Sequence, residues 1–241
     1  MKPILNFTVL LSFYSPLFFS QVAGAEVDPC RPPITPEQPQ YILGYGSFLQ
    51  TASRQRTLPS SDAGLPVLIS GFERGWFIRG SIYSPTSYLG AIENPDRSLN
   101  GAIYRLGIVD EIKASDLRES GYCRKRIEPE QLRLFDQGAV PEGEIWIYVA
   151  PPDRIQMPNA DYPIVQSYVD LFLGGCLELQ EQFSLTNFAD QSVNTTSGWS
   201  AHWVNDRIYP RRPFIYEPQS SRIDQILLKT IPDLLQERVI E

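Results

Sequence analysis

"YILGYGSFLQ", residues 41–50, decides how the rest of the chain is read. An apolar run ends at Gly44, a Tyr45-Gly46-Ser47 turn follows, and apolar residues resume at Phe48. A run this short suits a buried strand, and Gly46 permits a tight reversal at its mouth. The residues leave two readings of the turn open. It can be a cap, because Ser47 followed three residues later by Gln50 fits a capping box. It can also hold a ligand, because a helix start exposes unpaired N–H groups whose dipole favours a small anion.

Outward from the turn, residues 41 to about 150 read as short strands. "PVLISGF", "GWFIRGSIY", "YLGAIEN", "GAIYRLG" and "GEIWIYVA" are β-branched or aromatic runs separated by Gly, Pro and Asn. The expected fold class is α+β, a small mixed β-barrel of five to seven strands with flanking helices and a C-terminal extension. One short helix is expected over "DEIKASDLRES" and a longer one over Pro163 to Gln182, where Ile164, Val165, Tyr168, Leu171 and Phe172 keep helical spacing. After Phe183 the chain reads as an irregular, Arg-rich aromatic segment, with a final helix over about Ser221 to Arg238. Trp199, Trp203, Tyr209 and Tyr216 in that segment either pack on the core or serve as a lid or partner site.

Residues 1–25 read as a secretory signal peptide: an early Lys2, an apolar run from Ile4 to Phe19 interrupted by Pro16, and Ala23-Gly24-Ala25 before the cut. Residues 26–40 form a Pro-rich arm, 41–185 the domain, and 186–241 the C-terminal extension with its terminal helix. The expected location is secreted or periplasmic, with no membrane partner once the signal is cleaved. The net charge of -7 argues against nucleic acid and means that an anionic substrate needs a locally favourable pocket. Export would place Cys30, Cys123 and Cys176 in an oxidising setting, where three cysteines allow at most one internal pair and leave three choices for it. A single histidine, His202, and no Cys-x-x-Cys argue against a transition-metal site; no cofactor is expected. His202 is read as a structural hydrogen-bonding residue.

"DLRESGYCRKRI" carries the second candidate. Asp110 is read as an N-cap and Gly121 as a left-handed residue past the C-terminus, which puts Glu119 in the last helical turn. The dipole there disfavours an anion, and desolvation in a barrel mouth would raise its pKa further, as a proton shuttle requires. The alternative is a solvated glutamate paired with Arg118, Arg124 or Arg126.

Taken in order, the Tyr-Gly-Ser turn, "LGAIENPDRSLNGAIYRL", "LRESGYCRKRI" and "SYVDLFLGGCLE" resemble the gamma-glutamylcyclotransferase family over about residues 41 to 182. The resemblance implies a substrate loop of Tyr45, Gly46, Ser47 and Phe48, a catalytic Glu119, and pocket aromatics at Tyr122 and Tyr168. Many members carry Asn or Leu where this chain has Phe48. It also implies a small-molecule gamma-glutamyl substrate and a transferase- or lyase-type cyclisation. In that reaction the substrate's own α-amine closes the ring of 5-oxoproline, with Glu119 as general acid/base and with no metal or cofactor. The alternative is a non-catalytic module on the same barrel that binds a small anion or gamma-glutamyl group.

Overall fold

The computed structural model describes residues 28–212 and 218–241, so the expected signal peptide and Tyr216 lie outside the described residues. The first half runs β1 (Gln40–Gly44), α1 (Thr51–Gln55), β2 (Leu65–Arg79), β3 (Ser87–Arg105), α2 (Asp110–Arg118), β4 (Cys123–Ile127), β5 (Leu132–Leu134) and β6 (Glu144–Val149). The second half runs β7 (Ile164–Val165), α3 (Gln166–Gln182), α4 (Phe188–Asn194), β8 (Thr196–Ser197), β9 (Trp203–Asn205), α5 (Ser220–Thr230), α6 (Pro232–Gln236) and β10 (Val239–Ile240).

The main sheet has the order β4-β6-β1-β3-β2-β5, with β8 added beside β2. It is mixed, because β1 is antiparallel to β3 but parallel to β6. Its six strands curl into a half-barrel flanked by helices, the expected α+β class. Alternation explains why β1 is buried on both faces. Tyr41 and Leu43 join Val67, Ile69, Leu99, Ile145 and Ile147 inside the curl, while Ile42 points to the other side with Trp146, Tyr148 and Ile112 of α2. α3 is buried along almost its whole length against Trp76, Ala102, Tyr104 and the C-terminal helices.

Four expected boundaries move. The four strand segments between residues 65 and 105 are two long strands, β2 and β3. Gly71 does not end a strand: at φ +86° it makes a bulge, and opposite it the pairing passes from Ser98 to Glu93, so the Asn94-Pro95 stretch is absorbed as well. Helix α3 begins at Gln166, because Ile164 and Val165 pair with β9 instead. The final helix is broken at Ile231-Pro232, where proline starts α6 rather than continuing α5. The segment after Phe183 is more ordered than its composition implies, since it holds α4, β8 and β9.

The buried Arg74 ties this last segment to the sheet. Its Nε donates to Thr196 Oγ1 (2.7 Å), Nη1 to the carbonyls of Asn100 (2.8 Å) and Tyr45 (3.2 Å), and Nη2 to Ser192 O (2.7 Å), Asn100 Oδ1 (3.0 Å) and Thr195 Oγ1 (2.9 Å). Trp199 and Trp203 pack on the core, with Trp199 5.1 Å from Trp76 and 5.2 Å from Trp203 between ring centres; Tyr209 is 82% exposed. The side chain of His202 is exposed, and among the described residues only its backbone is hydrogen-bonded, which corrects the structural role expected of it.

Candidate active site

The site forms where β1 stops early. Beyond Gly44 its neighbours β6 and β3 close on each other directly, with Ala91 opposite Val149. Tyr45 fills the place of the missing strand: its hydroxyl donates to Tyr148 O at 2.7 Å and accepts the Ala91 N–H at 3.2 Å. The main chain is thereby turned out of the sheet, and Leu49 N–H closes the turn on Gly46 O at 3.0 Å. Among the described residues the amides of Gly46, Ser47 and Phe48 have no protein acceptor.

Ser47 is not the cap of α1. The N-cap is Gln50, whose Oε1 accepts from Ser53 N–H at 2.7 Å. Ser47 Oγ instead accepts from Arg118 Nη2 at 2.9 Å. Arg118 also donates to Ser53 O and Oγ and to Thr57 Oγ1, and its guanidinium lies 4.2 Å from the Phe48 ring centre. One side chain thus rivets the turn to α1. From behind, α3 supports the turn through Gly175: a Cβ there would stand 2.3 Å from Gln50 N, so only glycine allows this approach.

Glu119 sits at the end of α2. Asp110 does not cap that helix, whose N-cap is Val109 without a side-chain bond. Gly121 is not left-handed either; the helix ends on Glu119 itself (φ -97°, ψ 36°). The physical reason is Arg31 from the Pro-rich arm, which donates to Asp116 O (3.3 Å), Glu119 O (3.0 Å) and Tyr122 O (2.6 Å) and so serves the carbonyls that a left-handed glycine would otherwise help to satisfy. A disulfide between Cys30 and Cys123, Cα atoms 4.3 Å apart, fixes the arm beside it. The free Cys176 is buried, and burial pushes its thiol up to about 11.

The Glu119 side chain is 16% exposed, with Oε1 3.4 Å from Arg118 Nε. Burial raises its pKa above the ordinary carboxylate value, against the pull of Arg118, Arg31 and Arg212. Arg124 and Arg126 are engaged elsewhere, with Asp116 and Glu144. Tyr122 donates to Leu89 O at 3.0 Å, and Tyr168 lies over Gly46, where an added Cβ would be 3.3 Å from its hydroxyl. Burial also raises these phenols, Tyr168 to about 12 and Tyr45 and Tyr122 well above the ordinary phenol value, so all three stay protonated near neutral pH.

Tyr45, Gly46, Ser47, Phe48, Glu119, Tyr122 and Tyr168, all seven residues singled out in the sequence, line one cleft of roughly 340 Å³ counting its open mouth. Leu43, Leu89 and Tyr148 complete the lining. Sequence reasoning missed these three and the positioning roles of Arg31 and Arg118. Arg118 is adjacent to Glu119, which was a usable signal; nothing local marks Leu89 or Arg31. Among the described residues no cluster of His, Cys, Asp or Glu could hold a metal ion, and no helix is long and apolar enough to cross a membrane.

A curled mixed sheet flanked by helices, with a cleft at the broken end of its central strand, defines an α+β half-barrel. Known structures share this fold, and the chain has the gamma-glutamyl cyclotransferase-like fold. It is similar to a human protein described as uncharacterized protein loc79017, at 14% identity and a TM-score of 0.51, over 66% of this chain and 89% of that one. It is similar also to a protein described as gamma-glutamyl cyclotransferase, at 12% identity and a TM-score of 0.50, over 77% of this chain and 98% of that one. No model of a protein family matches the sequence, and no curated protein matches it.

Proposed function

We propose that the protein is an exported enzyme that converts a gamma-glutamyl amide into 5-oxoproline and a free amine. The observation that carries the reading is the meeting of a buried, upward-shifted Glu119 carboxyl with the unpaired Gly46–Phe48 amides in one cleft. The fold shared with a protein described as gamma-glutamyl cyclotransferase supports it.

The amides hold the glutamyl carboxylate and fold the chain back so that the α-nitrogen faces the γ-carbonyl carbon, which removes most of the entropic barrier. Glu119 accepts a proton from the α-ammonium group. The nitrogen attacks, the ring C–N bond forms, and the γ-amide C–N bond breaks. The carboxyl delivers that proton to the departing nitrogen, and the ring nitrogen, which still carries two hydrogens after the attack, gives up one of them through the same carboxylate to the free amine, which leaves as its ammonium form. The phenol of Tyr168, held protonated, donates to oxygen, while Tyr122, whose hydroxyl already donates to Leu89 O, shapes the wall; neither competes as a base. No redox step or covalent enzyme intermediate is needed.

Export is supported by the leader-like residues 1–25 and by the Cys30–Cys123 pair, a bond that persists in oxidising compartments. The deciding experiment incubates residues 26–241 with gamma-glutamyl amino acids, gamma-glutamyl amines and glutathione and measures 5-oxoproline. Release from at least one of them, abolished by Glu119→Gln, is expected. A preparation that is folded and disulfide-bonded yet releases none refutes the catalytic reading in favour of a binding module.

A further inference from the structure

Three arginines influence Glu119, and two of them are engaged by the protein: Arg118 with the Ser47 turn and α1, Arg31 with the carbonyls at the end of α2. Arg212 differs. It comes from the segment after β9, and its backbone N–H donates to Ser167 Oγ at 3.2 Å. Its half-buried guanidinium lies 5.6 Å from the Tyr88 ring centre and 5.7 Å from that of Tyr168. Those two rings meet edge to face at 5.0 Å and make a shelf beneath it. Among the described residues the guanidinium has no hydrogen-bond acceptor and no carboxylate partner. Its charge nevertheless reaches the cleft, where it lowers the pKa of both Tyr168 and Glu119.

The cleft wall therefore reaches from Gly46 to Tyr168, and next to that ring, 5.7 Å from its centre, stands a cation unanswered among the described residues. A gamma-glutamyl substrate has its α-carboxylate at the turn and its α-amine at Glu119. Any further charge it carries lies beyond the scissile amide, on the leaving group. A guanidinium offers a carboxylate two parallel donors, a geometry that a neutral alkyl amide cannot use. It also supplies positive potential at the mouth of a chain whose net charge is -7.

We propose that Arg212 is the specificity-determining residue that reads a carboxylate on the leaving group, so that the substrate class is gamma-glutamyl amino acids or peptides rather than gamma-glutamyl amines. This rests on the cleft being a gamma-glutamyl site. Arg212 takes no part in the bond changes.

Calorimetry on the Glu119→Gln variant, which cannot turn ligand over, compares gamma-glutamylglycine with gamma-glutamylmethylamide. The glycine compound should bind about 10-fold tighter or more, the scale of one charge-assisted pair. Adding Arg212→Gln should bring the two ligands within about threefold of each other, and Arg212→Lys should keep part of the preference, which a merely structural residue would not do. Equal affinities in the parent, a preference that survives Arg212→Gln, or binding of neither ligand overturns the proposal. A separate 5-oxoproline assay of the unmodified enzyme keeps the two claims apart. Arg212-dependent binding without product refutes catalysis and leaves the recognition role standing. Product from both compounds at equal efficiency, indifferent to Arg212→Gln, refutes the role of Arg212 and leaves catalysis standing.

Discussion

Replacing Glu119 by Gln keeps the shape of the side chain and removes its ionisation. The expected loss follows from what else lines the cleft. Glu119 is the carboxylate among the lining residues, burial raises the phenols of Tyr45, Tyr122 and Tyr168 so that they stay protonated, and the nearby Asp116 is held by Arg31, Arg124 and the Tyr148 hydroxyl. No second group can take the proton, so the full general acid–base contribution disappears, roughly 100-fold to 10,000-fold in kcat. That is about 2.7 kcal/mol of barrier at the lower end. Glu119→Asp withdraws the carboxyl by roughly one bond length, about 1.5 Å, and a shift of that size also costs on the order of 100-fold. Stability should move the other way. Burial gives Glu119 a folded pKa above its unfolded value, so its stabilising contribution is complete below the unfolded pKa and is lost as pH rises through the folded one. At pH 7 Glu119→Gln should therefore melt at the same temperature as the parent or higher, and the difference should shrink on acidification. In the parent, kcat/KM should fall as pH drops through a pKa above the ordinary carboxylate value. A parent that turns over a gamma-glutamyl substrate and a Glu119→Gln variant within threefold of its rate would refute the assignment.

Removing the Cys30–Cys123 bond by Cys123→Ser opens a crosslink spanning 93 positions, for which chain entropy predicts a loss on the order of 4–5 kcal/mol. Urea unfolding with and without reductant measures it, and equal midpoints would count against a clamping role. Arg74→Met removes a buried hub and leaves several carbonyls and hydroxyls without their donor; a loss of about 3 kcal/mol or more is expected in the same assay. Gly175→Ala would place a methyl group against the backbone of Leu49 and Gln50, so roughly 1–3 kcal/mol of overpacking should appear together with weaker ligand binding as the turn shifts. A variant with unchanged melting and unchanged affinity would show that the turn does not depend on this approach.

The fold class was legible because the strand segments are β-branched and the helix over Gln166–Gln182 keeps a wide apolar face. What misled was punctuation. Gly71 and Asn94-Pro95 carry turn chemistry, yet long-range pairing between β2 and β3 continues through them as a bulge. Ser47 offers a cap as one of two readings, and Gly121 a left-handed helix end, because capping is a local pattern, whereas their helix ends are served by Gln50 in one case and by Arg31, 88 positions from Glu119, in the other. The candidate residues were found together because their order along the chain matches a known arrangement. Arg212 stayed hidden for the opposite reason: its place beside Tyr168 depends on how the segment after β9 folds back, and no periodicity encodes that.

The bonding of Arg74 has a consequence for the order in which the molecule can be made. Its Thr196 partner lies 122 positions further along the chain. At a synthesis rate of about 5–20 residues per second, the arginine waits roughly 6–24 s for the hydroxyls and carbonyls of residues 192–196. Until they emerge, the strand that carries Arg74 cannot close over it without burying an unmatched cation. The Tyr45 carbonyl, which shares that guanidinium, is equally unsettled. The sheet around Arg74 therefore stays unclosed through about half of the chain's elongation, and the Tyr45–Phe48 turn settles only after residues 192–196 have emerged. A chain stopped before residue 192 would present to chaperones and proteases a hydrated, unclosed sheet rather than a smaller closed domain.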